Sequence, residues 1–212
     1  MARDEWFRGP KWDRATRVLF EEKLSRARTQ GAQHLRIKGY ELTRADDKSV
    51  WAAGRSLLRR VIDEHPDDAF SVPDAHHDLG ASFAREGRYE EAESQLVLAL
   101  ERHHHDRWGA RLEIAELIVA AEWAGRYRDA ARLLEEFIKS RSGLLPIEQL
   151  RVLMVEARIA VRTGDNEIAR RDAKQALELL THQTSPFPRH PGVGVAKADD
   201  ATVKELETMA RL

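Results

Sequence analysis

Apolar residues recur along this chain at helical spacing, and their runs are punctuated by Gly, Pro and Asp. Ala15, Leu19, Phe20, Leu24 and Ala27 predict a helix from a cap at Asp13 through Arg28, broken by Gly31. A second helix from Gln33 to Arg44 presents Leu35, Gly39 and Leu42. The turn Asp46-Asp47-Lys48-Ser49 leads into a third, from Val50 to Glu64, which His65-Pro66-Asp67-Asp68 closes because proline cannot donate the next helical hydrogen bond. After a connection over 68–73, Asp74 is expected to cap a helix that Gly87 ends. Helices over 89–103, 107–124 and 127–140 follow. Pro146 opens another within its first turn, where the missing N–H costs nothing, and Gly164-Asp165 turns the chain into one from Asn166 to Leu180. The Pro- and Gly-rich stretch 181–200 reads as a loop, and a last helix from Ala201 to Arg211 carries Val203, Leu206 and Met209.

The pattern repeats. Gly87-Arg88-Tyr89-Glu90-Glu91-Ala92 returns as Gly125-Arg126-Tyr127-Arg128-Asp129-Ala130, and four columns can be aligned across the second helix of each pair. Trp51, Tyr89, Tyr127 and Asn166 form the first column, Gly54, Ala92, Ala130 and Ala169 the second. Leu58, Leu96, Leu134 and Ala173 form the third, Val61, Ala99, Phe137 and Ala176 the fourth, at steps of 38, 38 and 39 residues. Small residues recur where helices must approach closely, and larger ones where the pair must fill its interior. In the first helices Gly80, Ile118 and Ala157 hold the crossing position, with Phe83, Ala121 and Ala160 three residues on.

Leu79-Gly80-x-x-Phe83, Gly87, Tyr89, Ala92 and Ala99, with Pro66 at the closing position, resemble the tetratricopeptide repeat (TPR) family over about 35–180. The period exceeds the ~34 residues usual for that family, and Ile118 stands where a small residue is expected. The resemblance implies an all-α fold, a right-handed α-solenoid of about four TPR-like helical hairpins. It divides the chain into an aromatic segment and packing helix (1–32), the array (33–180), the loop (181–200) and a C-terminal capping helix (201–212). The entry segment Asp4-Glu5-Trp6-Phe7-Arg8 is also similar to the start of some bacterial repeat proteins.

In that family the first helix of each pair lines a concave surface that binds extended peptides. Carried over by register, the resemblance implies partner-binding roles for His77, Arg85, Trp123, Arg151, Met154, Arg158 and Arg162. Arg151, Arg158 and Arg162 share a helix face, where guanidinium forks could read a partner carboxylate; the alternative is a solvated face paired with Glu148 and Glu156. The lysines and asparagines of the family's carboxylate clamp are absent from these positions, which argues against binding of chaperone C-termini. Trp123 is either an aromatic anchor in the groove or a core residue. Trp6, Phe7 and Trp12 read as a plug over the first helices.

Composition changes this picture in two respects. With no cysteine the chain has neither disulfides nor thiolate metal sites, and no stretch is apolar enough for a signal peptide or membrane span, so a cytoplasmic location is expected. Charge is segregated beneath a net −1: residues 1–60 carry +7, residues 61–101 carry −9, and the remainder +1. Such asymmetry steers a charged partner, holds parts of the chain against each other, or marks no more than solvated helix faces that happen to differ. His103-His104-His105-Asp106 and His76-His77 lack the three- or four-residue spacing of a helical zinc pair and are expected to bind no metal. No phosphate loop, nucleophile elbow or dinucleotide fingerprint is present. The expected function is a non-catalytic protein-protein interaction module that binds a segment of another protein without a cofactor, with nucleic acid, membrane and small molecules not expected as partners. The alternative is an immunity- or antitoxin-type inhibitor in a bacterial toxin or defence system, using the acidic 63–101 surface.

Overall fold

The computed structural model describes residues 5–27, 29–102, 106, 108–182, 184–185, 187, 189–190 and 192–212, and all regular structure among them is helical. Helix α1 (Arg14–Ser25) starts where the Asp13 carboxylate accepts from the Thr16 N–H at 2.7 Å. It ends three residues short of the expected Arg28. Helices α2 (Gly31–Thr43) and α3 (Trp51–Glu64) are joined through a 3-10 turn at Lys48–Val50 that Asp47 caps.

Helix α4 (Ser71–Arg85) corrects the expected cap at Asp74. Asp68 Oδ1 accepts from the N–H groups of Phe70 (3.1 Å) and Ser71 (2.7 Å), so the helix begins four residues earlier, with Phe70 in the cap position. Pro73 is tolerated inside the first turn because its N–H would have had no intrahelical acceptor. Gly87, at φ 73°, turns the chain into α5 (Tyr89–Arg102). Helix α6 (Ala110–Ala120) is shorter than the expected 107–124. Asp106 Oδ1 accepts from the Ala110 N–H at 2.6 Å, and Glu122 at φ 55° takes the chain out of helical geometry. The last four helices, α7 (Tyr127–Lys139), α8 (Pro146–Thr163), α9 (Asn166–Thr181) and α10 (Asp200–Met209), lie within two residues of expectation.

The chain forms two compact units, Met1–Ala110 and Arg111–Leu212. In the first, α2 pairs with α3 and α4 with α5, while α4 also packs on α2 and α3. Both hairpins cross at a glycine in the same way. A Cβ on Gly39 would stand 2.8 Å from Leu58 Cγ and 3.0 Å from the Gly54 carbonyl oxygen; one on Gly80 would stand 2.7 Å from Leu96 Cγ and 3.1 Å from the Ala92 oxygen. Leu35, Leu42, Leu58, Val61, Leu79 and Leu96 are buried around these crossings, each contributing about 1.5–3 kcal/mol of transfer free energy.

The N-terminal segment is tied to the same unit. Trp6 and Phe7 lie against His34, with ring centroids 4.8 and 4.4 Å away, and Trp6 and Trp12 both contact Phe20. Lys38, 1% exposed, donates from Nζ to the carbonyls of Gly9 (2.9 Å) and Lys11 (3.0 Å) and lies 5.5 Å from the Trp12 ring. Its burial lowers its pKa from the usual lysine value.

In the second unit α8 pairs with α9, and α10 packs on both. Leu206 and Met209 of α10 close over Leu150, Ala157, Ala173 and Ala176, with Ala196 of the preceding loop. That loop is organised by the Ser185 hydroxyl, which donates toward the carbonyl of Val193 at 2.7 Å and lies 2.9 Å from that of His190. In both units the second, third and fourth repeat columns are buried in every copy, whereas Asn166 of the first column is exposed. No helix among the described residues is long and apolar enough to cross a membrane.

Candidate functional site

Helix α8 is the best-defined carrier of candidate residues. Pro146 occupies its first turn, the Leu145 N–H donates to Glu148 Oε2 at 2.9 Å, and Gly164 at φ 82° ends it. The length between holds Arg151, Met154, Arg158 and Arg162, and each guanidinium meets a carboxylate of the same unit. Arg151 grips Glu116 through two bonds of 2.7 and 2.6 Å, with Glu113 at 3.9 Å. Arg158 grips Glu205 of α10 at 2.9 and 2.7 Å, and Arg162 reaches Glu122 at 2.9 Å. Burial works against the Arg151 charge, but the bonds and charge of Glu116 outweigh it and hold the pKa above the ordinary value. The bonds from Arg158 hold the Glu205 carboxyl below its usual range.

These partners differ from the Glu148 and Glu156 alternative. Glu148 faces Arg141 at 3.5 Å, and Glu156 is half-buried, where desolvation and the charge of Asp172 together raise its pKa. Met154 is half-buried against the apolar cluster under α10. A partner carboxylate binding this helix face would therefore compete with forks already closed within the unit.

Trp123, in the same unit, is half-buried; its ring lies 5.2 Å from the Arg126 guanidinium, and its backbone N–H donates to the Ile118 carbonyl. In the first unit Arg85 donates to the Thr43 carbonyl at 2.6 Å and covers the Trp51 ring at 4.5 Å, while His77 Nδ1 lies 3.8 Å from Asp78. The seven predicted residues thus fall two in one unit and five in the other.

Sequence reading did not single out the first unit's charged node. Arg36 donates from Nε to Asp78 Oδ2 at 2.6 Å and lies 3.3 Å from Asp74, whose Oδ1 accepts from Trp108 Nε1 at 2.5 Å. Two aspartates four apart on one face of α4 were the available signal. Arg55 likewise reaches Glu86 at 2.9 Å, so the basic N-terminal stretch is clamped to the acidic one.

A cleft of about 590 Å³ opens over α3, α4 and α5. Ile62, Leu79 and Phe83 give it apolar lining, and Arg59, Asp63 and Glu90 also border it. His76, 5% exposed, lines it as well, with Nδ1 2.9 Å from Gln95 Oε1. An amide oxygen only accepts, so Nδ1 carries the proton and donates. Burial lowers the ring's pKa, leaving it neutral at pH 7, and its buried Nε2 has no partner among the described residues. An unmet acceptor of this kind costs about 1–3 kcal/mol.

Among the described residues no three His, Cys, Asp or Glu side chains converge as metal ligands, and His103-His104-His105 lie outside those residues. No family model, curated protein or solved structure matches the chain.

Proposed function

We propose that this chain is a non-catalytic protein-binding module of the tetratricopeptide type, a right-handed solenoid acting in the cytoplasm by capturing a segment of another protein. The observation that supports it best is the shared crossing of two successive hairpins, Gly39 on Leu58 and Gly80 on Leu96, with a small residue opposite in each. Such a repeated unit stacks its neighbours and offers one helix of each pair to a partner. On this reading Arg85 contributes to binding in the first unit, and Trp123 and Arg162 contribute in the second.

A second reading, an inhibitor that docks through the acidic 63–101 surface, is favoured by one contrast. The α8 arginines are all engaged by carboxylates of their own unit, whereas exposed Asp63 and Glu90 have no such partner among the described residues. Co-purification from the native host would identify the partner, and titration calorimetry would then separate the readings. Loss of affinity with Trp123→Ala and Arg162→Glu supports the groove, and loss with Asp63→Lys and Glu101→Lys supports the acidic face. Unchanged affinity in both sets sinks both.

A further inference from the structure

We infer that the cleft over α3, α4 and α5 is a receptor for a cationic side chain, an arginine or lysine presented by a partner protein with apolar neighbours. The inference rests on the partner-binding reading above and adds to it the chemistry of the residue captured.

Two observations converge on that occupant. Half-buried Ile62, with the little that buried Leu79 and Phe83 expose, offers apolar surface to the aliphatic stem of a long side chain. At the rim, Asp63 and Glu90 are exposed carboxylates with no intrachain partner among the described residues, and residues 61–101 around them carry −9. Beneath the rim His76 is held by its bond to Gln95 with its own Nε2 buried, so the ring senses the cleft without offering that atom to an occupant. Exposed carboxylates beside apolar surface are complementary to an ammonium or guanidinium, which brings donors and positive charge together. Of the two cations on the lining, Arg88 is held by Glu86 and Glu91. Arg59 has no such tether and is the feature that would favour an anionic occupant instead.

The test uses the full chain and three peptides that differ only in the central residue: acetyl-leucyl-X-leucine amide with X arginine, norleucine or glutamate. Heteronuclear NMR follows the His76 ring nitrogens and the Gln95 side-chain amide. The arginine peptide is expected to move both in a saturable way, at least about fivefold more tightly than the norleucine peptide, with no saturable effect from the glutamate peptide. Asp63→Asn combined with Glu90→Gln, both exposed, is expected to weaken the arginine peptide by a similar factor without altering thermal unfolding. The inference is overturned if norleucine binds as well as arginine, if glutamate binds better through Arg59, if the double variant binds unchanged, or if no peptide saturates. In each of those cases the partner-binding reading is still decided by the Trp123, Arg162 and Glu101 variants against the natural partner, so the two failures are distinguishable.

Discussion

At the residue scale the tightest constraint sits at the helix crossings, and it ranks two glycines. A Cβ on Gly80 would press mainly on the Leu96 side chain, which can shift, whereas one on Gly54 would meet the Gly39 carbonyl oxygen and the Thr43 nitrogen, both at 2.8 Å. Backbone cannot move aside without parting the helices. Gly80→Ala is therefore expected to cost about 1–3 kcal/mol by overpacking and Gly54→Ala more, read as successive losses in urea midpoint. The buried imidazoles give a pH signature. His34 and His76 are both lowered from 6.5 by burial, to which the Arg102 charge adds at His76 and against which the Gln95 bond works. The unfolded chain then binds more protons than the folded one below about pH 6.5. Stability is full above that value and declines as pH falls toward the folded pKa values. Urea midpoints at pH 7.5 and 5.5 should show the decline, and His76→Asn should flatten it. The crossing glycines were legible in the sequence because the repeat marks them. The orphaned His76 nitrogen was not, because a helical pattern says which face is buried but not whether Gln95, nineteen residues away, supplies a bond.

At the scale of elements, helix α10 and the N-terminal segment are each held by one apolar contact set and one polar clasp. Helix α10 covers Leu150, Ala157, Ala173 and Ala176, and the Arg158–Glu205 fork sets its position. Leu206→Asp should expose that cluster and lower the unfolding temperature of the second unit by several degrees. A double-mutant cycle of Arg158→Ala and Glu205→Ala should return about 1 kcal/mol or less, since both groups are roughly a third exposed. At the other end, Lys38→Met leaves the Gly9 and Lys11 carbonyls without their donor. Limited proteolysis should then cut before Asp13 faster than in the native chain, whereas an unchanged rate would mean that the aromatic contacts hold the segment alone. Helix periodicity displayed most of these elements in the sequence, since caps and prolines act locally. It misread α4 because two aspartates competed for the cap and only Asp68 lies where its oxygen reaches the first free N–H groups. The candidate face on α8 was legible as a row of arginines. Its carboxylates were not, because they lie 35 to 47 residues away along the chain.

At the scale of the whole molecule, the segregated charge has two destinations that respond differently to salt. Part of it is spent inside the first unit, where Arg36 joins Asp74 and Asp78 and Arg55 joins Glu86 in half-buried or buried settings. Burial excludes counter-ions, so those pairs are screened weakly. The remainder, including Asp63 and Glu90, faces solvent, where the screening length shrinks to about 10 Å at 0.1 M salt. Raising salt from about 0.02 to 0.2 M should therefore leave the urea midpoint of unfolding nearly unchanged. The association rate of a fluorescein-labelled arginine-rich peptide, followed by stopped flow, should fall by about tenfold over the same range. Asp63→Asn with Glu90→Gln should shallow that dependence while leaving unfolding where it was. A rate indifferent to salt would mean that the acidic stretch serves the fold alone. A midpoint that falls in step with the rate would mean that the solvent-facing charges, rather than the buried pairs, hold the first unit together.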